Sequence, residues 1–175
     1  LLRSSISLTS DNLTIEYLVE KMIHDSDNTA YYMMLRNLEK DVPKQSVWSH
    51  LGLQDFITND GKISAKRYAV VLRSLYNAAY LSKEDSSKVL TLLTETPFRE
   101  YLEQGLPIGM KFAHKIGVIP DMSVYMDAGI VYLPNRPYIL IVMTQGKGEK
   151  EVGRIMKDIS LKAYTYVNEY DGTHD

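Results

Sequence analysis

The chain contains no cysteine, which excludes disulfides, thiolate metal sites and a cysteine nucleophile. Positive charge is not in excess either. Lys and Arg total 20 against 22 Asp and Glu, a formal net charge of -2, so the broad basic surface that holds nucleic acid or anionic lipid is missing and nucleic-acid binding is disfavoured. No apolar run approaches the ~20 residues of a membrane span. Leu1-Leu2-Arg3-Ser4 lacks the basic start and longer apolar stretch of a signal peptide. Of the 4 histidines, His24, His50 and His174 show no ligand spacing, and His114 beside a strand lysine reads as a packed or exposed side chain, so no metal and no cofactor are called for. With 1 Trp and 3 Phe, aromatic burial falls to the 13 tyrosines, helped by 8 adaptable methionines, and Tyr101 and Tyr125 are candidates to line a cleft. What is present is a 175-residue chain that is 45% hydrophobic, without internal repeat, low-complexity tract or long linker, which reads as one soluble globular domain over 1-175.

The first stretch is patterned for helices. Thr14 is placed as N-cap for Ile15 to His24, where Ile15, Leu18, Val19 and Met22 recur at helical spacing. A loop from His24 to Thr29 leads to a second helix, Ala30 to Leu38, stopped by Asp41-Val42-Pro43. A short helix is expected over Ser46 to Leu53 and a turn at Asn59-Asp60-Gly61. Ser64 caps a strong helix to Tyr80, and Ser82-Lys83-Glu84-Asp85 has capping-box spacing for another through Leu93.

After Gly105-Leu106-Pro107 the period changes to that of strands. Lys111 to Ile116, Ala128 to Leu133 and Tyr138 to Thr144 are rich in valine, isoleucine and tyrosine, and Pro134-Asn135-Arg136-Pro137 joins the last two. Glu149 to Tyr170 then reads as a terminal helix packed on the sheet through Val152, Ile155, Met156, Ile159, Ala163, Tyr166 and Val167. The fold class is α+β, with a mainly helical part over 10-104 and strands plus a terminal helix over 105-175.

Two short motifs stand out against this background. Ser26-Asp27-Asn28, followed by Thr29-Ala30, precedes a helix, and Lys115-Ile116-Gly117 lies in a strand-like run. Each has an ordinary reading, as N-cap and turn chemistry in one case and a solvated lysine beside a bulge glycine in the other. Their order along the chain decides between the readings. The Ser-Asp-Asn loop, the helical run Ile63 to Leu93, the turn at Gly105-Leu106-Pro107, and Ala113-His114-Lys115-Ile116-Gly117 followed by Asp127-Ala128-Gly129-Ile130-Val131-Tyr132 resemble, in that order, class A β-lactamases and their penicillin-binding relatives, from Thr14 to Tyr166.

The resemblance implies an antiparallel sheet flanked by helices, with a helical subdomain carrying the Ser-Asp-Asn loop. It also implies an acyl-enzyme acting on β-lactams or D-alanyl peptide amides of the cell wall. On it, Ser26 relays a proton to the leaving nitrogen and Asn28 bonds the substrate's acylamide. Lys115 faces Ser26 across a cleft and attracts the substrate carboxylate. Gly117 lets the strand lie close to substrate, the Val118 amide supplies an oxyanion donor, and Asp27 holds the loop. Family habit further implies an extracytoplasmic location.

The departures carry equal weight. No serine has a lysine three positions on, so the Ser-x-x-Lys nucleophile segment and the first strands are expected upstream of Leu1. The missing segment, or self-association, would then cover exposed sheet. Ile116 stands where the family usually has a hydroxyl residue and offers only its backbone. The stretch from Leu38 to Ser64 is short for an omega loop and has no Glu-x-x-Leu-Asn pattern, so fast deacylation is not expected. The chain alone is expected to be inactive, and the rival reading is a non-catalytic penicillin- or peptide-binding module on the same scaffold.

Overall fold

Side-chain oxygens that start helices and a change of period near residue 100 organise the chain into two units, Leu1–Pro97 and Phe98–Asp175. The computed structural model describes residues 5–8, 11–38 and 63–170. The expected stop at Asp41-Val42-Pro43, the helix over Ser46 to Leu53 and the turn at Asn59-Asp60-Gly61 lie outside them. Among the described residues no helix is long and apolar enough to cross a membrane.

The first unit opens with an antiparallel pair, β1 (Ser5–Leu8) and β2 (Asp11–Thr14), in register Ser5↔Thr14 to Leu8↔Asp11. Four-residue strands with serine, asparagine and threonine show too little alternation to be read from sequence. Thr14 then caps α1 (Ile15–His24), its hydroxyl accepting from the Tyr17 N–H at 3.1 Å. α2 (Asn28–Leu38) begins two residues before the expected Ala30, because the Asp27 carboxylate caps it. Leu18, Ala30 and Met34 form the small core of this helix pair, with Ile15, Val19 and Met22 packed around them.

Ser64 caps α3 (Ala65–Tyr76) through the Arg67 N–H at 3.3 Å. The helix stops at Tyr76 rather than Tyr80, since the Ala78 N–H tightens onto the Leu75 carbonyl at 3.2 Å and Ala78 turns left-handed at φ 49. Ser82 caps α4 (Lys83–Glu95), accepting from the Asp85 N–H and donating to the Asp85 carboxylate, each at 3.0 Å. The helix runs past the expected Leu93 to Glu95. At its end Thr96 is buried, and its hydroxyl donates to the His24 carbonyl at 3.2 Å, fastening the end of α4 to the end of α1.

The second unit is one antiparallel sheet, β3 (Phe112–Ile119), β4 (Val124–Val131) and β5 (Tyr138–Gln145) in that order, followed by α5 (Glu149–Glu169). The Pro134 to Pro137 turn is as expected, with Asn135 left-handed at φ 63 and the Arg136 N–H on the Leu133 carbonyl. β3 runs on through Gly117 to Ile119, and β4 starts at Val124 rather than Ala128. Glycine and aspartate usually weaken a strand, but Asp127 is buried and fully bonded here. The unit's boundary falls at Pro97 because Tyr101 and Leu102 belong to its core, with Phe112, Tyr125, Val131, Val152 and Met156. Tyr101 and Tyr125, the candidates for a cleft wall, are thus core residues, in edge-to-face contact at 6.3 Å.

The inward seam of α5 differs from the expected stripe. Val152, Met156 and Ser160 are fully buried, whereas Ile159 is 38% and Tyr166 69% exposed. Gly105 explains this. It lies so close to α5 that a Cβ there would overlap the Lys157 carbonyl, the Leu161 nitrogen and Ser160 Cβ, so the helix presents a small residue at 160. Gly105→Ala is expected to lower unfolding stability by about 1–3 kcal/mol, the usual range for overpacking. Denaturant titration checks this, and an unchanged midpoint would mean that α5 is free to move aside.

Candidate active site

The loop between α1 and α2 is held from both sides by aspartates. Asp25 accepts from Lys21 Nζ at 2.7 Å and pairs with His24 Nδ1, and the Lys21 and His24 hydrogen bonds hold its carboxyl below the usual range. Asp27 Oδ1 accepts from the Thr29 N–H at 2.7 Å and the Ala30 N–H at 3.0 Å, a helix cap that leaves this carboxylate holding the loop, in agreement with the sequence reading. Between them sits Ser26 at φ 55. Left-handed backbone crowds a Cβ against the following carbonyl, at roughly 1–2 kcal/mol. Its Oγ is also buried without a hydrogen-bond partner among the described residues. A hydroxyl so placed has both its proton and its lone pairs free, the requirement for passing a proton between two groups. Asn28 opens α2 exposed to solvent, its carboxamide free of hydrogen bonds among the described residues.

The other candidates lie on β3. Its register against β4 pairs Phe112 with Val131 and Ile119 with Val124, and the Tyr132 N–H bonds the Lys111 carbonyl at 2.9 Å. Antiparallel pairs alternate between bonded and unbonded. Lys115 and Gly117 therefore bond β4, while Ile116 and Val118 turn their N–H and C=O groups to the opposite edge, which no strand pairs among the described residues. The Val118 amide is thus a free donor on an open edge.

Side chains alternate as well. Lys115 is half-buried on the sheet face shared with Ala113 and Gly117, and its ammonium lies 5.8 Å from the centre of the Phe98 ring. Burial pushes its pKa down, and no carboxylate lies within ion-pair distance among the described residues. A desolvated, unpaired ammonium favours an anionic ligand. Gly117 keeps the same face clear, since a Cβ there would lie 3.0 Å from Met126 Cγ. Ile116 points to the other face and packs against the core, so at this position the strand offers a ligand backbone alone.

One cluster on that other face went unrecognised in the sequence. His114 and Asp127 are both buried, 2.8 Å apart between Nδ1 and Oδ1. Asp127 Oδ2 accepts from the Leu102 N–H at 3.0 Å, Glu103 Oε2 lies 3.5 Å from His114 Nε2, and Phe112 stacks on the imidazole at 4.3 Å. His114 is packed, as expected, and turned away from Lys115. A histidine and an aspartate on neighbouring strands were visible, but their register was not. The first unit also holds a cavity of about 690 Å³ between α1 and α4, lined by Val19, Leu81, Val89 and Leu92 and rimmed by Glu16 and Glu20, with none of the candidate residues in it.

Ser26 and Asn28 belong to the first unit, and Lys115, Ile116, Gly117 and Val118 to the second. Residues 4–167 match the family described as the Beta-lactamase enzyme family. Compared with curated protein sequences, the chain has no match. Among solved structures it is similar to PBP-A, at 22% identity and TM-score 0.80, over 95% of this chain and 68% of that one. A mutant of PBP-A solved as an acyl-enzyme complex with penicillin G matches at 22% identity and TM-score 0.79, over 96% and 68%. A beta-lactamase from Sphaerobacter thermophilus matches at 20% identity and TM-score 0.79, over 97% and 75%.

The strain at position 26 yields a direct expectation. Ser26→Gly removes the Cβ penalty and the unpartnered hydroxyl together, and is expected to raise unfolding stability by up to about 1 kcal/mol. Thermal unfolding measures it, and a clear loss of stability would show that the hydroxyl has a partner in solution.

Proposed function

This chain belongs to the beta-lactamase enzyme family, and on that premise we propose that it recognises β-lactams or D-alanyl peptide amides outside the cytoplasmic membrane through Ser26, Asn28, Lys115, Ile116, Gly117 and Val118. The fold is that of a β-lactam-type hydrolase. The observation that carries the finer reading is Ser26, a hydroxyl kept buried, unpartnered and in left-handed backbone. Such a combination is retained at sites where the group acts on something outside the protein.

Each residue has a chemical task toward one ligand. The Lys115 ammonium draws its carboxylate, and the Asn28 carboxamide bonds its acylamide. The Val118 N–H donates to its carbonyl oxygen, where negative charge gathers when the carbon becomes tetrahedral. Ile116 adds backbone groups at the open edge, and Gly117 keeps side-chain bulk out of the way. Ser26 passes a proton to the nitrogen that leaves. The nucleophile for acyl transfer would come from a Ser-x-x-Lys, which this sequence does not contain, so the chain by itself forms no acyl-enzyme. The penicillin G acyl-enzyme of the similar PBP-A mutant supports this choice of ligand.

A second reading, a non-catalytic binding module on the same scaffold, is favoured by Ile116. Its side chain is committed to the core where a hydroxyl would assist the carboxylate. Denaturing gels after incubation with fluorescent penicillin test the inactivity that both readings expect of this chain. We expect no covalent label on this chain, and a stable adduct would overturn its inactivity. Reversible binding of benzylpenicillin is expected to weaken about tenfold or more in Lys115→Met, the scale of a lost charge-assisted bond, and unchanged binding in both Lys115→Met and Asn28→Ala would overturn the site.

The pH dependence follows from Lys115, whose folded pKa lies below its ordinary 10.5. Affinity is full while the ammonium is charged and falls as pH rises through that lowered pKa, before 10.5 is reached. Over the same interval the unfolded chain holds more protons than the folded one, so stability rises as affinity falls. Calorimetric titration against pH checks the first trend and denaturant titration the second.

A further inference from the structure

α2 buries Ala30 and Met34 on one side, and the side directly opposite carries Tyr32, flanked by Asn28, Tyr31 and Arg36. Tyr32 is 58% exposed and Tyr31 43%. The two rings meet edge to face, 5.3 Å between centroids at 62°. That contact restricts the Tyr32 ring and leaves its remaining surface open, so a large aromatic face is held ready and little freedom is lost on stacking against it. Tyr32 is one helical turn beyond Asn28, which sets the two side chains roughly 5–6 Å apart at their Cβ atoms. A phenyl group one methylene away from an amide spans a comparable distance.

Resting on the ligand reading above, we infer that Tyr32, steadied by Tyr31, is a stacking platform for an aromatic acyl substituent on the ligand amide that Asn28 bonds. The platform sets preference among ligands and takes no part in bond making. Isolated exposed tyrosines are common and carry no such meaning. Here two of them touch, and Tyr32 stands opposite the buried stripe of its helix and shares a face with a carboxamide that has no partner among the described residues.

The test compares reversible binding of two ligands that differ only in the acyl group, benzylpenicillin and 6-acetamidopenicillanic acid, by calorimetry. The protein is expected to favour the phenylacetyl compound by about two- to tenfold, the range of one aromatic stacking contact. Tyr32→Ala should abolish that preference and leave the acetamido compound unaffected, and Tyr32→Phe should restore it. Asn28→Ala should weaken both compounds alike and keep their ratio. If Asn28→Ala acts in this way while Tyr32→Ala leaves the ratio unchanged, the platform is wrong and the ligand reading stands. If neither compound binds the unaltered protein, both are wrong.

Discussion

The antiparallel register of β3 against β4 gives neighbouring residues of one strand different tasks. His114 turns inward to Asp127, Lys115 turns to the other face, and Ile116 and Val118 send their amides to the open edge. A slip of one residue would exchange all of these positions, putting the lysine in the core and the histidine outside. Asp127 opposes such a slip strongly. Its carboxylate is fully buried and bonded to His114 and to the Leu102 N–H, and stranding a buried carboxylate costs about 3–5 kcal/mol. Gly129, opposite His114, adds a steric condition, since a Cβ there would overlap the Ala113 carbonyl and the Phe112 ring. The cluster that takes no part in the proposed chemistry therefore aims the residues that do.

A comparable division exists in the first unit. Asp25 and Asp27 bond to groups on either side of Ser26, and Thr96 ties the end of α4 to the carbonyl just before them. The fixed neighbours hold an unfavourable backbone at one position. Local stability is concentrated around a residue that subtracts from it, the arrangement that the proton relay proposed for Ser26 calls for.

How much of this was legible depended on the range of the interaction. Helix starts at Thr14, Ser64 and Ser82 were readable because a cap is a contact between residues three apart. The end of α3 was not, since Ala78 gives no sign of the left-handed turn it makes. The outline of the sheet followed from its valines and isoleucines. Its true ends did not, because Gly117 and Asp127 look unfavourable until Met126 and His114 are seen opposite or beside them. Ile155, Ile159 and Tyr166 fit a helical stripe, yet the seam of α5 passes through Ser160, where Gly105 presses closest. For the candidate site, residue types and order were visible in the two motifs. The burial of Lys115, the free edge at Val118 and the conformation of Ser26 required the fold.

Ser26 also bears on how this sequence drifts. Left-handed backbone costs a residue with a Cβ, here as at Ala78, and glycine or asparagine would occupy position 26 more comfortably. Lineages in which the hydroxyl has fallen out of use should lose it early, long before the capping aspartates beside it, which the fold needs regardless. On the role proposed for Ser26, glycine at this position would be the first sign that the hydroxyl had gone out of use.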